Sequence, residues 1–421
     1  MRRQEPLPKK GAQKIKCKYD REPHPLSQKS ESAIRVADKM DGRVWITDEL
    51  DNPCRSKFGR DRDRIVFCRS YRRLIHKMQL YLPEHDDHRR TRLTHTLEVV
   101  QIARAISKNL GMNEELVEAI AFGHDVGHAP FGHAGERQID SLLKGEPLPS
   151  QLAKRMVLPL DTKEVDPDFA GDFRHNYQSV RVLTFLEKYH PDYEGLNLTI
   201  QTLEGILKHT NIAPFITRPA RSVCIFPGVD GGAFDLLDLE KAYSVTVEGQ
   251  IVALADDIAQ IVHDLDDALR KDVIQFKNID RTLSKVFQED VMRNLKGKIE
   301  KRDSRIARHC RIAQMRAALL SRFIFKAIES FEEAIRRVVT SRNYYKENGN
   351  IKLKQPLLKK GTSDLYTVEL DDDVYRKLRE LRNDIVLKQH DVTRMDSKGQ
   401  YLIELVAKPL MGTNRAKSRT I

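Results

Sequence analysis

Apolar residues recur at three- and four-residue steps along most of the chain, which is the period of an amphipathic helix. In the stretch 92–110, Leu97 and Val100 begin one apolar face, and Gly111 follows as a C-terminal stop. A second helix follows closely, with Asn113 placed as its N-cap. The same pattern predicts further helices at about residues 175–189, 199–209, 236–271, 304–341 and 373–390.

Strand signals are few and short, and we expect strands only near residues 43–46, 222–226 and 365–370. Two stretches rich in Pro and Gly, 145–173 and 212–232, predict long surface loops. The chain shows no internal repeat and no low-complexity tract. The predicted fold is mainly α, with additional C-terminal helices and few short strands.

Composition predicts a globular protein, because 421 residues of which 40% are hydrophobic can bury a substantial core. That core forms either one large domain or one domain with an appendage. There are 73 Lys and Arg residues against 61 Asp and Glu, a formal net charge of +12. This charge favours phosphate-rich ligands or nucleic acid, although solubility alone also accounts for it.

The five cysteines lie far apart and form no C-x-x-C pair, so they indicate neither a disulfide framework nor a zinc ribbon. Five separate cysteines without a pairing motif are what we expect of a protein in a reducing compartment. The basic N-terminal stretch lacks the apolar run of a signal peptide, and no apolar run is long enough to span a bilayer. We therefore expect a cytoplasmic protein that does not bind a membrane.

The segment 124–136, HDVGHAPFGHAGE, is the most informative for chemistry. Three histidines, one aspartate and one glutamate among Gly and Pro suit neither a core nor a solvent-exposed helix. His124 and Asp125 are adjacent, so both reach one ion only from a helix end or a concave pocket. One imidazole and one carboxylate suit a divalent metal of hard to intermediate character.

Two further metal ligands are candidates, His95 in the preceding helix and Asp256 in a later apolar helix. A lone histidine on an apolar face is more often part of the core than a ligand. A buried carboxylate needs a cation or a hydrogen-bond partner, but a solvated face accounts for one of the consecutive acids Asp256 and Asp257.

The order H…HD…D, formed by His95, His124, Asp125 and Asp256, resembles the signature of HD-domain phosphohydrolases. Segment 124–136 is similar to the form found in dGTPase-like proteins. Further matching pieces follow in the family's order, at residues 58–64, 71–80, 91–99, 175–181, 202–209 and 248–257. The resemblance covers about half the chain and implies an HD-domain helical bundle in which those four residues hold Mn²⁺, Mg²⁺, Fe²⁺ or Co²⁺.

The resemblance also implies catalytic roles. Glu136 would orient His133, and His133 would handle the proton of the attacking water or of the leaving oxygen. His128, one turn beyond His124, would contact the phosphate. The family's reaction is cleavage at the α-phosphorus, which yields a deoxynucleoside and inorganic triphosphate.

Substrate contacts follow from the same resemblance. Arg92 shares a helix face with His95 and would lie beside the α-phosphate. The other implied substrate residues are Gln79 and Leu80 against the sugar, His175 and Lys208 near the phosphates, and Asp264 at the 3′-hydroxyl.

The chain departs from the family at three positions. Gln260 stands where a tyrosine commonly packs against the deoxyribose, and Met78 and Arg174 stand where threonine and glutamate are expected. Either Gln260 admits a 2′-hydroxyl, or another residue fills the gap. Sugar selection is therefore left open.

The expected function is metal-dependent hydrolysis of dGTP or of several dNTPs. One alternative is an HD phosphohydrolase of another nucleotide phosphate ester. Another is a nucleotide or nucleic-acid sensor with a structural metal, which the basic charge favours. Because His133 and Glu136 are both present, the enzyme is the preferred reading.

We expect four regions: a flexible basic N-terminus (1–30), the HD core (31–275), a helical C-terminal region (276–411) and a flexible tail (412–421). The helix at 304–341 either packs in the core or contacts another subunit. Similar proteins form tetramers or hexamers, and some bind a dNTP or single-stranded DNA as an effector. We therefore expect a homo-oligomer with such an effector.

Overall fold

The computed structural model describes residues 23–36, 55–81, 90–143, 173–191, 193–210, 233–276, 279, 304–358 and 370–413. Its helices are α1 (Lys57–Phe67), α2 (Arg69–Arg72), α3 (Arg92–Leu110), α4 (Glu114–Gly123), α5 (Gly132–Leu143), α6 (His175–Arg181), α7 (Ile200–Leu207), α8 (Val247–Arg270), α9 (Ser304–Thr340), α10 (Asp373–Leu381) and α11 (His390–Thr413). Short 3-10 turns occupy Ser30–Ser32, Arg73–His76 and Ala233–Leu236, and π-turns occupy Val182–Leu186 and Arg382–Val386. The expected mainly α fold is confirmed.

Helix α8 is the centre of the bundle. Its 24 residues extend over roughly 36 Å at the usual rise of an α-helix, and nearly every side chain along it is buried. Helices α3, α4, α7 and α9 pack around it. Because α9 contacts both α3 and α8, the region after residue 303 shares the core of the preceding helices. Each polar side chain on the buried faces of α8 therefore needs a partner inside the bundle.

The buried face of α3 is the face that periodicity predicted except at Leu97, since Val100, Ala103, Ile106 and Leu110 are all buried. Leu97 is 45% exposed, whereas His95, Val99 and Ile106 are fully buried. The prediction for Leu97 was wrong because helix α8 packs on the neighbouring stripe of α3, which carries the histidine. The helix thus turns a polar side chain, His95, into the core.

Side-chain caps fix where several helices begin. Each capping oxygen accepts a backbone N–H of the first turn, which typically contributes about 1 kcal/mol. The capping residues are Ser56, Thr91, Asn113, Thr199 and Thr246, so the N-cap predicted at Asn113 is confirmed.

Asp61 of α1 joins three segments in the core. Its carboxylate is fully buried, pairs with Arg35 at 3.3 Å and accepts hydrogen bonds from the N–H and hydroxyl of Thr199 at 2.9 and 2.6 Å. The Thr202 hydroxyl donates to the same oxygen at 2.8 Å. Within residues 23–30, which fell in the expected flexible N-terminus, Leu26, Ser27 and Gln28 are buried in the structure.

Helix boundaries differ from the predictions at two places. The helix expected at 236–271 begins at Val247, because Glu204 binds the Ser244 hydroxyl and the Val245 N–H just before it. The helix expected at 373–390 is divided by the π-turn Arg382–Val386, and the periodicity gave no sign of α11 beyond it.

The strands lie where none was expected. β1 (Tyr344–Glu347) and β2 (Asn350–Leu353) form an antiparallel hairpin. Asn348 and Gly349 between them have φ of 50° and 80°, as the two-residue Asn-Gly turn of a hairpin requires. The Asn-Gly dipeptide is a hairpin signal, but a prediction made from the apolar residues alone does not take it into account. The strands expected at 43–46 and 222–226 lie outside the described residues, as do all residues of 365–370 except Leu370, which is not in a strand.

None of the helices in the described ranges combines the length and the apolar character needed to cross a bilayer.

We predict that Asp61→Ala lowers the free energy of unfolding by about 3–5 kcal/mol, the usual cost of leaving one partner of a buried ion pair alone. The physical reason is that Arg35 and two threonine hydroxyls lose their acceptor inside the core. Urea denaturation followed by circular dichroism measures the change. Asp63→Ala is the matched control on the same helix, since Asp63 pairs only with partly exposed arginines. Equal losses in the two variants would contradict the assignment.

Candidate metal centre

The turn after α4 carries the pair His124 and Asp125. Gly127 approaches α6 so closely that a Cβ there would lie 2.1 Å from the backbone nitrogen of Ser179. The Ser179 hydroxyl donates to the His124 carbonyl at 2.8 Å and accepts from the Gly127 N–H at 2.9 Å. The turn is therefore fixed against α6, and the pair enters the bundle from the end of α4, as its adjacency required.

The structure brings His95, His124, Asp125 and Asp256 together. Ligand atoms of the first three lie within 4.8 Å of one another. Asp256 Oδ1 lies 2.9 Å from His95 Nε2 and 3.8 Å from His124 Nε2, while Asp125 Oδ2 lies 3.6 Å from His124 Nε2. Neighbouring ligands at about 2.1 Å from one ion are roughly 3–4 Å apart, so this spacing suits a single ion.

The donor set also suits a metal. His124 Nδ1 donates to the Ala121 carbonyl at 2.6 Å, so Nε2 carries the lone pair in the neutral ring. That nitrogen is buried and has no hydrogen-bond partner among the described residues. Two imidazoles and two carboxylates suit a divalent ion such as Mn²⁺, Fe²⁺ or Co²⁺. The four residues therefore fit the ion that the sequence predicts.

Both carboxylates of this group are ionised. Burial alone would raise the pKa of Asp125, but Arg92, whose NH1 lies 2.6 Å from Oδ2, and the nearby imidazoles hold that pKa well below its usual range. Burial would likewise raise the pKa of Asp256, but the hydrogen bond from His95 and the nearby His124 imidazole keep it below its ordinary value. The carboxylates of Asp125 and Asp256 therefore place two negative charges close together in a buried place.

His95 is oriented by a second layer of contacts. Its Nδ1 lies 3.2 Å from Nδ1 of His263, and His263 Nε2 lies 2.5 Å from Glu98 Oε2. His263 follows Asp256 by seven residues, which is two turns on one face of α8. A carboxylate that acts through a histidine on a metal-binding histidine is a common way of fixing ring orientation.

Glu136 of α5 connects two further histidines. Because its carboxylate accepts only, His133 Nδ1 and His175 Nδ1 both donate to Oε2 at 3.0 Å. Burial would raise the pKa of Glu136, but the two imidazoles hold it far below its usual range. Burial would lower the pKa of His175, and Glu136 raises it instead. The His133 side chain is 59% exposed, so its Nε2 faces the open side of the site.

Two buried imidazoles, of His128 and His209, lie beside His175. The His128 ring stacks on that of His175 with 4.4 Å between centroids, and neither of its nitrogens has a hydrogen-bond partner among the described residues. His209 Nδ1 donates to the Ile206 carbonyl at 2.7 Å, and its Nε2 lies 3.3 Å from His175 Nε2. Burial is the main cause that lowers the pKa of both rings, that of His209 to about 3. Both are neutral at pH 7 and carry a free lone pair.

Two of the residues predicted to bind substrate, Gln79 and Arg92, lie beside the turn before α5. Gly132 has a φ of 60°, and a Cβ there would lie 3.3 Å from Arg92 NH2 and 3.8 Å from the Gln79 carbonyl oxygen. The turn before α5 therefore holds Gln79 and Arg92 close together. Leu80, next to Gln79, is 8% exposed.

Gln260 and Asp264 connect the metal group to the C-terminal region. Gln260 Nε2 donates to Asp256 Oδ2 at 3.0 Å. Arg382 donates to Gln260 Oε1 at 3.3 Å and to Asp264 Oδ2 at 2.5 Å. Arg382 thus contacts both of the expected sugar-binding positions.

Lys208, the other predicted phosphate contact, is fully buried. Its Nζ lies 2.8 Å from Oε1 of Glu204, which is in α7, and Lys208 is the residue that follows this helix. The Glu204 carboxylate therefore neutralises the charge of Lys208. The neighbouring His209 is the residue that reaches His175.

Sequence reasoning missed His209, His263 and Arg382. A signal existed for two of them: His209 ends a matched piece, and His263 lies two turns from Asp256 on α8. No signal pointed to Arg382, because its contact depends on how the C-terminal helices pack on α8.

The basic run at 55–77 lines a separate cavity of about 280 Å³. This cavity shares no lining residue with the metal group, and it has Arg60, Arg64, Arg69 and Arg72 on its wall together with Phe67. The arginines on its wall therefore form a second basic surface, whereas Lys77, at the end of the run, donates to the Val126 carbonyl at 3.2 Å next to Asp125.

Comparison with known proteins gives consistent results. The family model described as "HD domain" matches residues 92–261, a range that begins at Arg92 and includes all four members of the metal group. That range also contains His128, His133, Glu136, His175 and His209.

Several curated proteins are similar to this chain, each called a deoxyguanosinetriphosphate triphosphohydrolase-like protein. The one from Nitrobacter hamburgensis is 42% identical over 243 residues, which are 56% of this chain and 54% of that protein. The one from Rhizobium etli is 41% identical over 254 residues, 60% and 56% of the two chains. The one from Rhodopseudomonas palustris is 43% identical over 238 residues, 55% and 52%. The chain thus spans about half the length of the curated relatives it matches.

We predict that Mn²⁺ raises the midpoint of thermal unfolding of the wild-type protein, because an ion bound only by the folded state stabilises it by about 2.7 kcal/mol at a hundredfold excess over the dissociation constant. Asp256→Ala should remove this shift. Asp257→Asn is the matched control, because Asp257 faces Tyr375 instead of the metal group and should keep the shift. Differential scanning fluorimetry with and without Mn²⁺ measures it, and an undiminished shift in Asp256→Ala would refute the proposed ligand.

Proposed function

We propose that this chain, which matches the HD domain and is 41–42% identical to deoxyguanosinetriphosphate triphosphohydrolase-like proteins over more than half of its length, hydrolyses deoxynucleoside triphosphates, dGTP or several dNTPs, at the α-phosphorus. The products would be a deoxynucleoside and inorganic triphosphate. The observation that carries the proposal is the position of the His133–Glu136 pair and of Arg92 beside the four-residue metal group.

Residues His95, His124, Asp125 and Asp256 would hold the ion. A bound divalent ion would polarise the phosphorus and lower the pKa of water beside it. Arg92 adds a fixed positive charge next to Asp125, where it can bind a phosphate oxygen. This arrangement concentrates positive charge where negative charge develops during attack on phosphorus.

His133 is the residue proposed to move protons. Glu136 holds its Nδ1–H, so the lone pair of the neutral ring lies on Nε2 at the exposed side. That nitrogen can accept a proton from the attacking water or, when protonated, give one to the leaving 5′-oxygen, and Glu136 stabilises the imidazolium form in either role. His128, buried without a partner among the described residues, offers a further contact to the phosphates.

The remaining predicted substrate contacts are proposals of the same kind. Gln79 and Leu80 would contact the sugar, His175 and Lys208 the phosphates, and Asp264 the 3′-hydroxyl. Arg382 donates to Gln260 Oε1 and to Asp264 Oδ2, so it is the residue proposed to fill the gap left where relatives have a tyrosine.

Further parts of the proposal concern the setting of the enzyme. Mn²⁺, Mg²⁺, Fe²⁺ or Co²⁺ would serve as the ion, in a cytoplasmic homo-oligomer of four or six copies. The arginine-lined cavity at 55–77 is compatible with an effector that carries phosphates.

We predict that purified protein with Mn²⁺ converts at least one deoxynucleoside triphosphate into deoxynucleoside and triphosphate, and that Asp125→Ala does not. Ion-exchange chromatography of each deoxy- and ribonucleoside triphosphate after incubation identifies the products. Turnover of ribonucleotides as well would show that Gln260 relaxes sugar selection. Release of pyrophosphate or orthophosphate would contradict cleavage at the α-phosphorus, and absence of turnover with all nucleotides, also in mixtures and with single-stranded DNA, would contradict the proposed activity.

We predict that His133→Ala lowers kcat by about 10²–10⁴, the usual contribution of general acid–base catalysis, while the Mn²⁺ content per chain stays unchanged. Arg137→Ala is the matched control one turn along α5, because Arg137 is 61% exposed and pairs with Asp396. Steady-state kinetics and elemental analysis on the same preparations give both quantities. If His133→Ala kept full activity, the proposed proton transfer would be wrong.

A further inference from the structure

Helix α10 and the residue that follows it lie against α8. Tyr375, Arg379 and Arg382 follow one another at steps of four and three residues, so they share one face of this helical stretch. The Tyr375 hydroxyl donates to Asp257 Oδ2 at 2.7 Å, and Arg379 NH1 lies 4.0 Å from the same oxygen. Arg382 Nε donates to Asp264 Oδ2 at 2.5 Å. One face of the C-terminal region therefore lies along the part of α8 that carries the fourth member of the metal group.

Gln260 connects Arg382 to the metal group. Arg382 NH2 donates to Gln260 Oε1 at 3.3 Å, and Gln260 Nε2 donates to Asp256 Oδ2 at 3.0 Å. The orientation of the amide follows from its two partners, because a guanidinium only donates hydrogen bonds and an ionised carboxylate only accepts them. The amide oxygen must face Arg382, and the amide N–H must face Asp256. Arg382 thus decides which end of the Gln260 amide reaches the metal group.

The two oxygens of Asp256 have different partners. Oδ1 lies 2.9 Å from His95 Nε2 and 3.8 Å from His124 Nε2, a spacing that suits ligands of one ion. Oδ2 accepts the N–H of Gln260. With Oδ2 held in this way, the carboxylate presents Oδ1 to an ion. Contacts that orient a metal ligand from behind typically change metal affinity by about 10–100-fold when they are lost.

A simpler role for Arg382 is neutralisation of Asp264, whose side chain is only 4% exposed. That role accounts for the contact with Asp264 but does not require the second contact, from NH2 to Gln260. The two roles make opposite predictions for metal binding. A fixed positive charge near the metal group disfavours a cation, so its removal would tighten binding if charge were its only effect. Loss of the fixed Gln260 amide would weaken binding instead.

We propose that Arg382 is a positioning residue of the metal centre, which fixes the Gln260 amide and, through it, the metal ligand Asp256. The C-terminal region then sets the metal affinity of the α8 ligand through a residue that is not itself a ligand. The proposal rests on the metal centre of the proposed function, but it does not depend on which nucleotide is hydrolysed.

The test is the dissociation constant of Mn²⁺, measured by isothermal titration calorimetry on the full chain after a chelator has removed bound metal. Titrations are run well below the thermal midpoint of each stripped variant. We expect the dissociation constant to rise about 10–100-fold in Arg382→Met and in Gln260→Met. Arg379→Met is the matched control, because it removes the same charge from the same face but contacts Asp257 instead of Gln260. It should bind Mn²⁺ as tightly as the wild type.

A double-mutant cycle shows whether Arg382 acts through Gln260. The variant that carries both Arg382→Met and Gln260→Met should bind Mn²⁺ as weakly as Gln260→Met alone, because the connection to Asp256 is already broken in the single variant. If the two losses multiplied, Arg382 would act on the metal centre by another route, and the proposal would be overturned.

Other results overturn the proposal in recognisable ways. Tighter binding in Arg382→Met would leave neutralisation of Asp264 as the role of this arginine. An equal loss in Arg379→Met would assign the effect to the packing of α10 as a whole. Unchanged binding in Gln260→Met would be decisive even if Arg382→Met did not fold, because this variant leaves the Arg382–Asp264 pair in place. Absence of Mn²⁺ binding by the wild type would refute the metal centre of the proposed function as well, which the other results leave standing.

Discussion

Two carboxylates, Asp125 and Asp256, must stay ionised inside a helical bundle, and much of the local structure serves this requirement. Each is no more than 5% exposed. An isolated buried carboxylate is strongly destabilising, so the bundle supplies Arg92 at one and His95 at the other. These partners only partly neutralise the group. A divalent ion would complete the neutralisation, which makes metal binding a consequence of how α3 and α8 pack.

The side chains of the site are held by anchors on rigid elements. His124 is fixed by the Ala121 carbonyl, His95 by His263, and His175 by Glu136. Ser179 fixes the turn between α4 and α5 from the opposite side. Because each anchor lies on a helix or at its end, the ligand positions depend little on side-chain freedom, which favours a preorganised centre. The C-terminal region takes part through the contact of Arg382 with Gln260 and Asp264.

The sequence predicted much of the site and less of the fold's detail. The pair at 124–125 was informative because adjacent ligands restrict the geometry, and Asp256 was informative because a buried acid needs a partner. Leu97 was misplaced because a narrow periodicity cannot tell which stripe of α3 faces α8. The hairpin at 344–353 was missed because its side chains alternate weakly and only Asn348–Gly349 marks the turn. Arg382 could not be predicted, since its role depends on tertiary packing alone.

The most direct measurement is anomalous diffraction from crystals of the protein grown with Mn²⁺. The account predicts a strong manganese peak about 2.0–2.3 Å from ligand atoms of His95, His124, Asp125 and Asp256. A map with no peak among these four residues, from crystals in which the four side chains are ordered, would contradict the metal centre on which the proposed chemistry depends.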